Sequence, residues 1–290
     1  MIDRIKSFIE ISRPVNVIMA VVGVLLGAGL GGRVEWLPVS LACVAAATFT
    51  AAGNALNDYV DRDLDRVAHP ERPIPSGRLS PKDAYLYSVA MFLISALFAV
   101  ILAFIKPMTL LVYVPVLVFM LSYELKLRLK YYGPIGNVLI AMLVGATFSY
   151  GALASRPSVL AFMLTLYAFL ANWTREIVKD LEDIEGDRAA GRRTLPMIIG
   201  EKRCKFLSII PLLIAVVTSP VPYILEKMHV YPFVILIIGD VIFLYSIALA
   251  IAENYKKAQR IMKYGMIVVL LAYFVQTFSS VLDLHAIVNG

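Results

Sequence analysis

Apolar residues in this chain come in long runs separated by short polar segments. The runs cover about 14–31, 37–57, 84–105, 108–122, 135–154, 158–174, 205–226, 231–252 and 262–282. A helix needs about 20 apolar residues to cross the hydrocarbon core of a bilayer. The pattern therefore predicts nine membrane-spanning helices, the fourth and sixth being the shortest. Ahead of the first run, residues 2–12 place Ile2, Ile5, Phe8 and Ile9 on one helical face, opposite Arg4 and Lys6. That amphipathic stretch predicts a short helix lying in the membrane interface. No small-residue cleavage signature follows the first run, so it is expected to be a retained span.

Composition agrees with the pattern. The chain of 290 residues is 60% hydrophobic and only 17% charged, against roughly 45–50% and about 25% for a soluble domain. This excludes an ordinary soluble enzyme, a disordered chain and a disulfide scaffold. Nine spans leave no room for a separate soluble domain, so residues 1–290 are expected to form one transmembrane domain, an all-α bundle. Cys43 and Cys204 lie far apart, have no metal or disulfide spacing, and are expected to be small core residues.

Charge placement sets the orientation. Of the 27 Lys and Arg residues, only Arg33, Lys106, Arg156 and Lys227 fall in the alternate short loops; all the others fall in the N-terminal segment and the complementary loops. The positive-inside rule puts the N-terminus and the basic loops on the cytoplasmic side. The net charge of +6 is therefore a signature of topology. Nucleic-acid binding is not expected, because the basic residues are spread over five juxtamembrane segments. Two inside loops, about 58–83 and 175–204, are long and hold most of the polar chemistry.

Those loops begin with matching acidic ladders. Asp58, Asp61 and Asp65 are repeated by Asp180, Asp183 and Asp187 at an offset of 122 residues, and each ladder ends in Asp-Arg. We read this as a weak internal repeat. Spacings of three and four residues put each triplet on one helical face. Stacked like charges repel, so helix stability does not explain them, whereas cations held between two such faces would. Oxygen-only ligands point to Mg²⁺, which prefers a few carboxylates together with water and phosphate oxygens. The ladders thus predict Mg²⁺ bound at two acidic helix ends and a phosphorylated ligand bound to the metal. Asp63, Glu182 and Glu185 point off the ladder faces and are expected to be solvated. Nearby cations suit the same ligand. Arg72 lies in the turn-rich His69-Pro-Glu-Arg-Pro-Ile-Pro-Ser-Gly77 segment, Lys126 in the third inside loop, and Lys179 and Arg193 beside the second ladder.

The sequence resembles the UbiA superfamily of intramembrane prenyltransferases over essentially its whole length. The resemblance rests on Asn57-Asp58-x-x-Asp61-x-x-x-Asp65, Arg72-Pro-Ile-Pro-Ser-Gly77, Asp180-x-x-Asp183-x-Glu185-Gly186-Asp187, and Arg13-Pro14-x-Asn16 before the first span. It implies transfer of a polyprenyl group from its diphosphate to an acceptor, with Mg²⁺ at the two Asp-rich motifs. Carried over residue by residue, Asn57, Asp61 and Asp65 match the first metal–diphosphate motif, and Asp183 and Asp187 the second. Arg13 and Asn16 join Arg72, Lys126, Lys179 and Arg193 as diphosphate-binding candidates. Lys126 follows Tyr123 by three residues, where many relatives have a spacing of four. Asp58 and Asp180, at acidic positions not assigned to metal, are candidates to take the acceptor's proton.

Several features resemble the archaeal branch that builds ether lipids: Arg13-Pro-Val-Asn-Val-Ile-Met-Ala20, Gly53-Asn-Ala-Leu-Asn-Asp58, Gly136-Asn137 and Gly145-Ala-Thr-Phe148. This implies geranylgeranyl diphosphate as donor, geranylgeranylglyceryl phosphate as a lipid-like acceptor, and a surrounding of membrane lipids. Relatives that use hydroxybenzoate, naphthoate or haem as acceptor keep that alternative open, because the motifs face the donor. An ion-coupled transporter is the other class. Its sites usually lie near the bilayer midplane, whereas these carboxylates cluster at the membrane boundary. Phe49, Phe148, Tyr150, Phe169 and Trp173 are each expected to be ordinary packing residues. Asp240, midway along the eighth run, is expected to be protonated and hydrogen-bonded to a neighbouring helix.

Overall fold

In the computed structural model, residues 2–124, 133–189, 191, 193–225 and 227–282 are described. The helices, in chain order, are α1 (Ile2–Ser12), α2 (Pro14–Gly29), α3 (Trp36–Val60), α4 (Arg62–Ala68), α5 (Pro81–Ile105), α6 (Leu110–Glu124) and α7 (Gly133–Ala154). They continue with α8 (Val159–Glu182), α9 (Ile184–Ala189), α10 (Leu195–Ile199), α11 (Glu201–Thr218), α12 (Val221–Ile224), α13 (Val230–Ile251) and α14 (Tyr255–Leu282). Each apolar run coincides with a helix. Among the described residues, six helical segments are long and apolar enough to cross a membrane, and a seventh is obtained if α1 and α2, bent by 48° at Arg13, are taken as one. The sixth run is embedded in a longer helix than its apolar length suggests, because α8 continues through polar residues to Glu182.

The helices close into a ring. Helix α2 packs on α3 and α7, α3 on α5, α7 on α8, α8 on α11 and α14, and α13 on α14, while α14 returns to α2. In lipid the helix–helix interface gains little from apolar burial, so close backbone approach through small residues takes over. At Gly27 and Gly151 of the α2–α7 crossing, an added Cβ would overlap the backbone of Phe148 and Val24 respectively. Outward-facing positions are apolar instead: Val15, Leu93, Phe104, Val241 and Ile267 are all exposed. This inverts the pattern of a water-soluble bundle and suits lipid contact.

The four short loops that carry Arg33, Lys106, Arg156 and Lys227 meet at one end. Lys106 Nζ donates to Glu35 Oε1 (2.8 Å) and to the Ser155 carbonyl (3.0 Å), Ser155 Oγ donates to the Arg33 carbonyl (3.2 Å), and Lys227 joins Gly31 and Ser158 around a small cavity. The acidic segments follow the opposite ends of α3 and α8. There the segment after α4 folds back: Ile74 and Leu79 are buried with Ile11, Ala55 and Ala84, and Arg78 makes a two-pronged bond to Glu10 (2.6 and 2.9 Å). Ser80 caps α5 by accepting from the Asp83 N–H (3.1 Å).

Candidate active site

Neither ladder lies on one continuous helical face. Helix α3 stops at Val60, Asp61 leaves helical geometry (φ −87°, ψ 3°), and α4 begins at Arg62. The second copy breaks at the equivalent residue: α8 stops at Glu182, Asp183 departs (φ −119°, ψ 37°), and α9 begins at Ile184. In both, i→i+4 backbone bonds bracket the break, Asp65 N–H to Asp61 O (2.8 Å) and Asp187 N–H to Asp183 O (2.9 Å). The internal repeat is thus structural. At each break the chain turns so that the three acids no longer stack on one straight helix face.

The first ladder is knitted to cations and amides. Asp58 is buried, at 3% exposure. Its carboxylate accepts from Arg13 (2.5 Å), with Arg72 at 3.5 Å. Arg72 also donates to Asp65 (2.7 Å), which is likewise buried. Asn57 donates to Asp61 (3.1 Å) and accepts from Arg13 (3.3 Å). Arg13 reaches them from the α1–α2 corner, where it holds a left-handed backbone (φ 51°), a conformation uncommon outside glycine. Asn54 ties that corner down by donating to the Ser12 carbonyl (2.8 Å) and accepting from Asn16 (3.4 Å).

The second ladder has different partners. Glu176 takes Arg175 (2.8 Å) and, more loosely, Lys179 (3.6 Å). Asp180, six residues past the end of its apolar run, accepts from the Asn137 side chain of α7 (2.8 Å) and from the Leu195 N–H at the start of α10. Burial pushes its carboxyl up to about 6, opposed by the Asn137 amide and reinforced by Asp187 and Glu176. Asp183 is exposed, and among the described residues it has no ion pair. Asp187 is buried. Gly186 packs under the Asp183 carboxylate, which an added Cβ would overlap. Arg193 is exposed, and its carbonyl accepts from the Gly133 N–H (2.9 Å). Lys126 lies outside the described residues.

A cavity of about 870 Å³ lies beside these elements, and none of the six ladder carboxylates is among its lining residues. Its polar mouth is lined by Arg13, Asn16, Asn57 and Lys179, and its body by apolar and aromatic side chains. Phe49, Phe148 and Tyr150 line that body and also pack in the core, as expected from sequence. Phe169 and Trp173 pack on each other, centroids 5.6 Å apart, and are not among the lining residues. Asp240 also lines the cavity and bonds Ser219, at the end of α11, which agrees with the neighbouring-helix partner expected. Two residues take on contacts that the sequence did not assign them. Asn137 is a polar side chain inside an apolar run. Lys263 also lines the cavity, although its position was explained by topology alone.

Among the described residues, no group of three or more Asp, Glu, His or Cys side chains gathers closely enough to hold a metal. The donor set still fits Mg²⁺, which usually takes one or two carboxylates and completes its shell with water and phosphate oxygens. The segments around Asp61 and Asp183 each supply only oxygen donors. The chemistry open to such a site is departure of a phosphorylated leaving group at the mouth of an apolar slot.

Comparison with known proteins agrees. The sequence profile of the UbiA prenyltransferase family matches residues 16–274. The chain is 36% identical over 272 residues to the digeranylgeranylglyceryl phosphate synthase of Methanosphaera stadtmanae, covering 92% of this chain and 98% of that protein. Against the enzyme of the same name from Methanopyrus kandleri it is 38% identical over 271 residues, with the same coverage of 92% and 98%. A solved structure of digeranylgeranylglyceryl phosphate synthase superposes with a TM-score of 0.84 at 31% identity, covering 94% of this chain and 98% of that one. A UbiA homolog from Archaeoglobus fulgidus, bound to DMAPP and Mg²⁺, shares the fold at a TM-score of 0.68 and 20% identity, covering 95% and 99%. With the paired acidic breaks, the greasy cavity and a profile match over most of its length, the chain is a membrane protein and belongs to the UbiA prenyltransferase family.

Proposed function

We propose that the protein transfers a geranylgeranyl group from its diphosphate to the free hydroxyl of geranylgeranylglyceryl phosphate, as its relatives' names indicate. The observation that carries this reading is the large cavity, which joins a cationic, amide-lined mouth to an apolar body. At about 870 Å³ it is at the large end of the range for small-molecule sites, about 300–1,000 Å³. A long prenyl chain needs such a slot, and an anionic head needs such a mouth.

In the reaction the allylic C–O bond breaks and diphosphate leaves with the electron pair. The acceptor oxygen bonds the freed carbon, and its proton passes to a carboxylate. Asn57, Asp61 and Asp65 on one side and Asp183 and Asp187 on the other would hold Mg²⁺, which when bound neutralises charge on the leaving diphosphate. Arg13, Asn16, Arg72, Lys126, Lys179 and Arg193 are assigned to that diphosphate. Arg13 and Arg72 are oriented for it by Asp58 and Asp65. Asp180 is the proton acceptor we favour, since its described partners are the neutral donors Asn137 and Leu195. Asp58, held by two guanidinium groups, serves as their anchor. The apolar walls keep water from the reacting carbon.

For topology we propose nine spans in one domain, residues 1–290, with the N-terminus and the site on the cytoplasmic side. The excess of Lys and Arg in the loops on the site's side supports this. The test is an assay of purified protein with labelled geranylgeranyl diphosphate, with and without Mg²⁺. Geranylgeranylglyceryl phosphate, hydroxybenzoate and naphthoate serve as acceptors. Mg²⁺-dependent product from the glyceryl phosphate alone is expected. Product only from an aromatic acid would overturn the acceptor, and ion flux in proteoliposomes without any transfer would overturn the enzyme.

A further inference from the structure

The cavity has a cation that the donor site does not use. Lys263 lies eight residues into α14, about 12 Å along it at 1.5 Å per residue. Its neighbours Ile261, Met262, Tyr264 and Met266 are apolar or aromatic. It lines the cavity, whereas Lys256, Lys257 and Arg260 of the same helix do not. The other two cations in the lining already have acids: Arg13 meets Asp58 at 2.5 Å, and Lys179 lies 3.6 Å from Glu176. Among the described residues Lys263 has no ion pair. The acid in the same lining, Asp240, bonds Ser219. Lys263 is exposed near the start of its helix, so its ammonium stays charged at little cost, and its place in the cavity lining puts that charge within reach of an anionic ligand.

Two anionic heads must share this cavity if the function proposed above holds, and the inference rests on that reading. The donor's diphosphate belongs with the acidic breaks and the mouth. The acceptor's phosphomonoester carries about −1.5 to −2 charges at neutral pH. It needs a cation of its own, on a different helix from the donor's. Lys263 is such a cation, reaching the same cavity from α14, a helix that carries no part of either acidic motif.

We propose that Lys263 binds the phosphate of the acceptor and so selects a phosphorylated acceptor over a neutral one. A Lys ammonium suits a phosphate as a point charge with three donors. The phosphate would otherwise enter an apolar cavity unpaired.

The experiment compares wild type, K263M and K263R in transfer to geranylgeranylglyceryl phosphate and to its dephosphorylated form, geranylgeranylglycerol, with the donor KM measured in parallel. K263M should raise the KM for the phosphorylated acceptor about tenfold or more, the loss of roughly one charge-assisted hydrogen bond, and leave the donor KM within about twofold. Activity on the dephosphorylated acceptor should be unchanged, so the preference for phosphate collapses, and K263R should restore most of it. An unchanged acceptor KM means that the lysine only snorkels to the interface and overturns the proposal. An equal loss on both acceptors, or a raised donor KM, also overturns it, by showing a structural or donor role. If wild type transfers only to an aromatic acid, the function reading itself has failed. Should K263M not yield monodisperse protein, K263Q carries the same comparison, and failure of both to fold assigns the lysine to structure.

Discussion

Asp58 and Asp180 occupy equivalent places in the repeat, 122 residues apart, but have been given opposite surroundings. Asp58 is clamped by Arg13 and Arg72, and Arg72 extends the clamp to Asp65. Asp180 has an amide and a backbone N–H, and its neighbour Asp183 stands exposed without an ion pair among the described residues. In the first segment Asp58 and Asp65 are therefore paired with the protein's own cations. The second keeps negative charge available for a ligand. A duplicated helical unit has become an asymmetric pair, with guanidinium groups on Asp58 and Asp65 in one half and neutral donors on Asp180 in the other.

The difference can be broken from either side. Asp58→Ala should have the largest effect. It removes a buried carboxylate and leaves two guanidinium groups without their common partner, a type of loss that costs about 3–5 kcal/mol. The loss should appear as a lower midpoint in thermal or denaturant unfolding of the detergent-solubilised protein. Asp183→Ala should do the converse. Its side chain is exposed and makes no ion pair among the described residues, so stability should change by no more than about 0.5 kcal/mol. Mg²⁺-dependent transfer should fall about 100-fold or more, the usual scale for removing one electrostatic stabiliser of a reaction. If Asp183→Ala unfolded the protein while Asp58→Ala spared it, the asymmetry would be reversed.

A smaller effect should separate the two segments by pH. With its carboxyl at about 6, Asp180 is ionised above that value and protonated below it. A protonated acid cannot accept the acceptor's proton, so the rate should fall about tenfold per unit as pH drops below about 6. Asp180→Asn should lower the rate and flatten that limb. A limb that persists unchanged in the variant would exclude Asp180 as the proton acceptor.

How much of this was legible in the sequence follows from the range of the forces involved. Lipid solvation acts on each segment locally, so the apolar runs marked α2, α3, α5, α6, α7, α8, α11, α13 and α14. Charge bias grouped the loops of Arg33, Lys106, Arg156 and Lys227, which the fold brings to one end. The acidic repeat was equally visible, being a matter of spacing. Its breaks at Asp61 and Asp183 were not, because i, i+3, i+7 spacing is compatible with a straight helix, and partners distant in sequence such as Arg13 and Asn137 act on these segments. The Arg13–Asp58 clamp joins residues 45 positions apart and depends on the left-handed corner at Arg13. Phe49, Phe148 and Tyr150 look in sequence like any other packed aromatics; only the arrangement of α3 and α7 around a cavity sets them apart.

Gly186 offers the mildest way to test how the Asp183 carboxylate is placed for metal. The equivalent residue of the first segment, 122 positions earlier, is Leu64, an exposed residue that already carries a side chain. At Gly186 an added methyl would overlap the Asp183 carboxylate. That carboxylate is the exposed end of a short side chain and can turn aside without moving the backbone, so Gly186→Ala should leave unfolding almost unchanged. A carboxylate pushed off its position binds metal less well. The expected cost is about 0.6 kcal/mol, seen as a roughly threefold higher Mg²⁺ concentration for half-maximal transfer. Exchanging Leu64 for Ala, where no carboxylate has to be held in place, should leave that concentration where it was. Equal shifts from the two substitutions would mean that both segments respond to metal alike.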